Sequence, residues 1–246
     1  MRKPELSLFL QYLIHAYHEA RERGEISPEG EVRLPPLDKI SKKLGSSVPN
    51  LREQLAVARA LGLVDAKPKV GIRLRPYSFT PAVSLSLRVA VALDRAYFDQ
   101  FAELRKEVER AFFRRAAQAL TPEDRRDLEA LVQRAWAKLD DQPPRIPHRE
   151  HRDLHLTLYR RIHNTFVKGI VEAFWDLYEA VGLNRYADIE FLREVWRYHQ
   201  RIVELIIAED YDQAQQWFDE HLDMLKQREP QTQQLLAPEP FWEDER

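Results

Sequence analysis

The stretch LPPLDKISKKLGSSVPNLREQLAVARALGLV, residues 34–64, decides the reading of this chain. Pro36 precedes a short helical pattern from Leu37 to Leu44, and Gly45 ends it as a left-handed cap. Ser46-Ser47 follows as an N-cap, because a serine hydroxyl accepts from the free amides of a new first turn. Pro49 lies near the first helical position, where its missing N–H costs nothing. A second helix, Pro49 to Leu61, turns Leu51, Leu55 and Ala58 to one side and stops at Gly62. Working outward, Glu5 to Arg23 carries an apolar stripe of Leu6, Leu8, Leu10, Leu13, Ile14 and Tyr17, closed by Gly24. Ser27-Pro28-Glu29-Gly30 is a turn, and Val32-Arg33-Leu34 is extended. On the other side, Leu63 to Ala66 and Ile72 to Leu74 alternate as strands around a basic turn, Lys67 to Gly71. Helix, strand, helix, tight turn, helix and two-stranded ribbon is the order of a winged helix-turn-helix.

Downstream the periodicity is helical throughout. Expected helices run from about Ser84 to Leu120, Pro122 to Leu139, Pro147 to Val167, Ile170 to Val181, Asp188 to Ala208 and Tyr211 to Glu229. Their short connections imply an antiparallel all-α bundle. The fold class is therefore mainly α. Residues 1–76 form the winged helix-turn-helix, 77–83 a linker, 84–229 the helical domain and 230–246 a polar tail.

Composition removes several classes of function. With 246 residues, 44% hydrophobic and 32% charged, the chain can bury a real core and is not disordered. No run reaches the ~20 apolar residues of a membrane helix, and the N-terminus lacks the apolar core of a signal peptide. Cysteine is absent, so no disulfide, thiolate metal site or cysteine nucleophile is available. These traits lead us to expect a cytoplasmic protein without a membrane partner. The net charge of −2 argues against general nucleic-acid affinity, yet it is unevenly spread. Residues 1–80 hold 14 Lys and Arg against 9 Asp and Glu, a net of +5, which leaves −7 for the rest. That split suits a basic binding module joined to an acidic one.

Two groups of residues could carry chemistry. His151 and His155 are four apart and share a helix face, while His199 and His221 fall on two later helices. Imidazoles converging in a bundle suit a divalent ion, with Zn²⁺ or Ni²⁺ expected. The same residues also serve as a hydrogen-bonded polar core, or as the open site of a helical-bundle metalloenzyme with Glu150 or Asp153 as base. No Walker-type loop, GxSxG or HExxH supports an enzyme. On the N-terminal module, Ser47, Pro49 and Asn50 stand at the start of the second helix of the turn motif. Arg52, Lys67, Lys69, Arg73 and Arg75 would face phosphates.

The run Leu34 to Ser41, then Leu44-Gly45-Ser46-Ser47, Leu51 to Leu55 and Leu61 to Val64, resembles the DNA-binding domain of GntR-superfamily regulators. The family reads roughly LPSERELA, LGVS, VREAL and GLV there. Phe101 to Arg105 with Glu109 and Ala116-Ala117, Leu154-His155 with Asn164, His199 with Ile202, Asp210 with Ala214, and His221-Leu222 resemble the FCD effector domain of the FadR-type branch. The resemblance implies a homodimeric, ligand-responsive transcription regulator rather than an enzyme. It would bind a double-stranded operator, a divalent metal and a small carboxylate effector. It also implies His155, His199 and His221 as metal ligands, with His151 where the family has Asp, and Arg105 and Asn164 as effector-binding. The DNA side departs from the pattern: Asp38 and Val48 stand where the family has Arg, and only Arg52 is kept. Losing two contacts of about 1–3 kcal/mol each should shift or weaken operator recognition.

Overall fold

The computed structural model describes residues 6–67, 70–180 and 188–224, and its contacts divide the chain into two units, 1–85 and 86–246. The expected tail, Lys69, and the Gly182 to Ala187 connection lie outside the described residues.

In the first unit, α1 (Leu8–Arg23) is followed by β1 (Val32–Leu34), α2 (Leu37–Leu44), α3 (Val48–Ala60), β2 (Val64–Lys67) and β3 (Gly71–Leu74). The helix starts are written in side chains. Ser7 Oγ accepts from Leu10 N, and Ser47 Oγ accepts from Asn50 N. Gly45 takes the left-handed conformation that ends α2. Gly62, with φ +73°, has a further reason to lack a side chain: a Cβ there would stand 2.4 Å from Pro81 Cγ. β3 lies between β1 and β2, antiparallel to both. Alternation then puts Val32, Leu34, Ile72, Leu74 and Val64 inward, against Phe9, Leu13, Ile40, Leu51 and Ala58. Gln54 ties α3 to the start of α1, its Oε1 accepting from Phe9 N at 2.9 Å. The winged helix-turn-helix order read from the sequence is the one observed.

Seven helices follow: α4 (Thr80–Leu93), α5 (Ala96–Gln118), α6 (Pro122–Leu139), α7 (His148–Leu158), α8 (Thr165–Ala180), α9 (Ile189–Ile207) and α10 (Tyr211–Met224). Three expectations need correction. The 77–83 linker is helical from Thr80 onward. The long helix expected over 84–120 breaks at Asp94, whose Oδ1 takes the Ala96 amide and so competes with helix continuation. The helix expected over 147–167 ends at Leu158, and the next starts at Thr165, because Asn164 Oδ1 accepts from Phe166 N and Val167 N. A side-chain cap within an apolar-periodic stretch is what the period alone did not register.

In the second unit, α9 packs against α6 and α10, α5 against α7, α8 and α10, and α7 against α6 and α8. Asp124 pins this arrangement. It completes a capping box with Thr121 at the start of α6. It also accepts from Arg160 Nη1 at 3.0 Å and Arg161 Nε at 2.7 Å, from the turn after α7. The carboxylate is fully buried, and the hydrogen bond from Arg161 leads in holding its pKa well below the usual carboxylate range. Asp124→Ala should lower stability by about 3 kcal/mol, the range for breaking a buried pair, reduced because both arginines reach solvent. Since the folded pKa is depressed, this contribution is complete above the unfolded value of ~4 and fades as pH falls below it. The gap between the urea midpoints of the wild type and Asp124→Ala should therefore be smaller at pH 3 than at pH 7.

Candidate metal and effector site

The histidines expected to converge do so. α7 supplies His151 and His155, α9 supplies His199 and α10 supplies His221, and one ring nitrogen from each lies within 4.8 Å of the others. Ring centroids are 4.2 Å apart for His199 and His221, 4.7 Å for His151 and His199, and 5.2 Å for His151 and His155. His155, His199 and His221 are buried, and His151 is half-buried. Each sits on the apolar face of its helix, so the packing that buries Leu154, Trp196 and Phe218 carries the imidazoles inward with them. His148 is one turn earlier on α7 but stacks on Tyr178 instead.

Behind His155 lies a buried ionic group. Arg105 and Glu109 are one helical turn apart on α5 and form an ion pair with almost no solvent exposure. Glu109 Oε1 is 2.9 Å from His155 Nδ1, and Arg105 Nη2 is 3.0 Å from the same nitrogen. One neutral ring nitrogen cannot both donate and accept. With Glu109 ionised, Nδ1 carries the proton and donates to the carboxylate, which leaves the Nε2 lone pair facing the other histidines. Burial pushes the Glu109 carboxyl up, but Arg105 and His155 outweigh it and hold the group below its ordinary value. Tyr159 donates to the Glu109 carbonyl at 2.8 Å. The Arg105 guanidinium lies 4.5 Å from the Phe174 ring centroid, an arrangement that favours a cation over the ring face.

Burial, reinforced by the neighbouring imidazoles and Arg105, drives the pKa of His199 and His221 well below the usual histidine value. These rings are neutral at pH 7 and have lone pairs to offer. His155 Nε2, both nitrogens of His199 and Nδ1 of His221 are buried without a hydrogen-bond partner. Partnerless buried nitrogens on three converging rings are costly unless something occupies the space between them, and a divalent cation fits the four-imidazole donor set. A small cavity of about 20 Å³ opens beside the cluster, bounded by Arg105, Phe174, Trp175, Tyr178, Phe191 and Val195 among others. That volume admits a water beside an ion, not an organic acid. A larger hollow of about 410 Å³ lies elsewhere, between Asp127, Arg134, Asp153 and Arg160, and contains no imidazole.

The sequence profile described as the FCD domain matches residues 100–224. The chain belongs to the FCD domain family. In this FCD protein the matched span contains the histidine cluster together with Arg105 and Glu109. The chain is similar in fold to Streptococcus agalactiae GntR, at 16% identity and a TM-score of 0.62, covering 88% of this chain and 98% of that one. E. coli McbR/YncC aligns at 18% identity and a TM-score of 0.47, covering 95% of this chain and 100% of that one. A comparison with curated protein sequences gives no match. No helix among the described residues is long and apolar enough to cross a membrane.

Asn164 is not brought to the cavity. It is exposed and spends its side-chain oxygen on capping α8. Glu109 was not singled out for the site from the sequence, although its spacing of four from Arg105 places both on one helix face. In the first unit, Ser47, Pro49, Asn50 and Arg52 are exposed at the start of α3, and Asn50 Nδ2 donates to Ser46 Oγ. Lys67 pairs with Asp65 at 3.1 Å, while Arg73 and Arg75 both pair with Glu31.

The depressed histidine pKa values set a pH dependence for metal-free protein. Below about pH 6.5 the unfolded chain takes up protons that the buried imidazoles refuse, so stability falls as pH drops. Chelator-treated protein should lose thermal stability between pH 7 and pH 5, and His199→Gln/His221→Gln should flatten that slope.

Proposed function

We propose that this FCD protein is a DNA-binding transcription regulator whose helical domain senses a small organic acid through a bound divalent metal. The observation that carries the reading is the pairing, in one chain, of a winged helix-turn-helix with an FCD domain holding four converging imidazoles. The exposed start of α3 carries the DNA-facing candidates Ser47, Pro49, Asn50 and Arg52, with polar groups from Ser47, Asn50 and Arg52 at the place where such helices meet base edges. The ribbon adds less positive charge than its composition suggests, because Glu31 and Asp65 already engage Arg73, Arg75 and Lys67. Phosphate attraction therefore rests more on α2 and α3, where Lys39, Lys42, Lys43 and Arg52 are exposed. Asp38, also exposed on α2, opposes it. The protein acts as a homodimer, so that two such modules meet the two halves of an operator.

In the helical domain His151, His155, His199 and His221 would hold the metal, with Zn²⁺ or Ni²⁺ the expected ion. A bound cation there supplies a Lewis-acid anchor for a carboxylate oxygen. Arg105 lines the same cavity and adds a second positive group. Since the cavity holds little more than a water, an organic acid enters only if the aromatic wall of Phe174, Trp175 and Tyr178 parts. That displacement is the element through which effector and DNA sites would be coupled, each biasing the same equilibrium.

Fluorescence anisotropy of the full chain on duplex DNA from its own upstream region is the test. Affinity should fall linearly on a log–log plot against salt, and Arg52→Ala should weaken binding and reduce the slope by about 1. Absence of salt-dependent binding would overturn the regulator reading. Metal analysis tests the other half. We expect about one ion per chain in the wild type and none in His199→Ala/His221→Ala. Metal at 100 times its Kd should stabilise the wild type alone, by about 2.7 kcal/mol.

A further inference from the structure

We infer that His151 makes this a metal site without a carboxylate ligand, one that takes borderline divalent ions and turns away hard ones, with Glu109 supplying negative charge from behind His155. The inference rests on the metal reading above and concerns which cations the site accepts and which residues decide it.

The four groups that converge are all imidazoles. Among the described residues, the carboxylates nearest to His151 and His155, those of Glu109, Glu150 and Asp153, are engaged elsewhere. Glu109 presents one oxygen to His155 Nδ1, and the other pairs with Arg105. To reach an ion directly it would have to abandon both partners inside the core. Asp153 is two residues from His151, close to the opposite side of the helix, and pairs with Arg149 and Arg152. Glu150 pairs with Lys138 at 2.8 Å. An ion among the histidines would therefore meet four imidazole nitrogens, and its oxygen ligands would come from water or an entering acid. Imidazole suits zinc, nickel, cobalt and copper, whereas magnesium, calcium and manganese favour oxygen donors.

Charge supports the same conclusion. Four neutral ligands leave a divalent ion with its full charge, in an interior that already holds Arg105 and Lys106. The nearest anion is Glu109, whose charge is shared with Arg105 and which stands one hydrogen bond away through the His155 ring. This contact orients the ring, keeps Nε2 unprotonated and makes it more basic. Glu109 is thus a positioning residue, not a ligand. His151 sets the selectivity because it alone of the four is half-buried, at the edge where an aspartate could be accommodated without burying an unpaired charge.

The test uses the full-length protein, stripped with a chelator and dialysed against equimolar zinc, nickel, cobalt, manganese and magnesium. Metal content is then read by mass spectrometry, and thermal unfolding is followed with each ion alone. Manganese is the weakest binder of its series at most sites, so the ranking in the wild type is not sufficient. The decisive reading is the change produced by His151→Asp. Wild type should load zinc or nickel, with manganese below one-tenth of either and no melting shift on adding manganese. His151→Asp should raise the manganese share at least tenfold and acquire a manganese-dependent melting shift. Glu109→Gln should keep the wild-type ranking and lose 10–100-fold in affinity. Should that variant fail to fold, His151→Asp still decides. If His151→Asp leaves the metal ranking unchanged, or if the wild type loads manganese as readily as zinc, the inference is wrong while the metal reading stands. If the wild type loads no ion of any kind, both are wrong.

Discussion

The contact among Arg105, Glu109 and His155 is the constraint around which the helical unit is organised. Burying a guanidinium and a carboxylate is expensive, and the interior accepts them only because each satisfies the other and the remaining oxygen finds an imidazole N–H. Once that group is in place, the orientation of His155 is settled, and with it the direction in which its free nitrogen points. α5 must lie where Arg105 and Glu109 meet α7, and α8 must bring Phe174 and Trp175 over the guanidinium. The histidine cluster follows from this packing. Its other members arrive on α9 and α10, held by the apolar residues that flank them.

Buried imidazole nitrogens without a hydrogen-bond partner, on His155, His199 and His221, are poor material for stability. Apolar residues of similar size would pack without orphaned nitrogens. The fold tolerates the cluster at the centre of its second unit, where a polar group that binds nothing would be most costly. That placement is the physical argument for a ligand at this point. The small adjoining cavity sharpens it, since the surrounding aromatic side chains close the space to anything larger than water.

The N-terminal unit shows a different economy of charge. Its basic composition is real, but much of the ribbon is internally matched by Glu31 and Asp65. What remains on this face is Arg52 with the exposed lysines of α2, of which Lys43 lies over the Tyr12 ring. A basic count therefore overstates the surface available to a polyanion, because intramolecular ion pairs form wherever an acid is within reach of a long side chain.

The order of elements was legible in residues 34–64, because caps, glycine stops and strand alternation are local and each has its own physical signature. α2 and α6 begin and end where the pattern placed them. The breaks at Asp94 and Asn164 were not legible from periodicity, since each depends on one side chain taking backbone amides within an otherwise helical stretch. At the site, the sequence by itself determined that His151 and His155 share a face and that Arg105 and Glu109 share another, because the 3.6-residue period permits nothing else. Only the tertiary structure decided that four histidines from three helices meet at one point, that Glu109 stands behind His155, and that Asn164 caps a helix rather than lining the cavity. Those outcomes depend on how helices distant in sequence pack, and the choice is made by the shapes of the buried side chains between them.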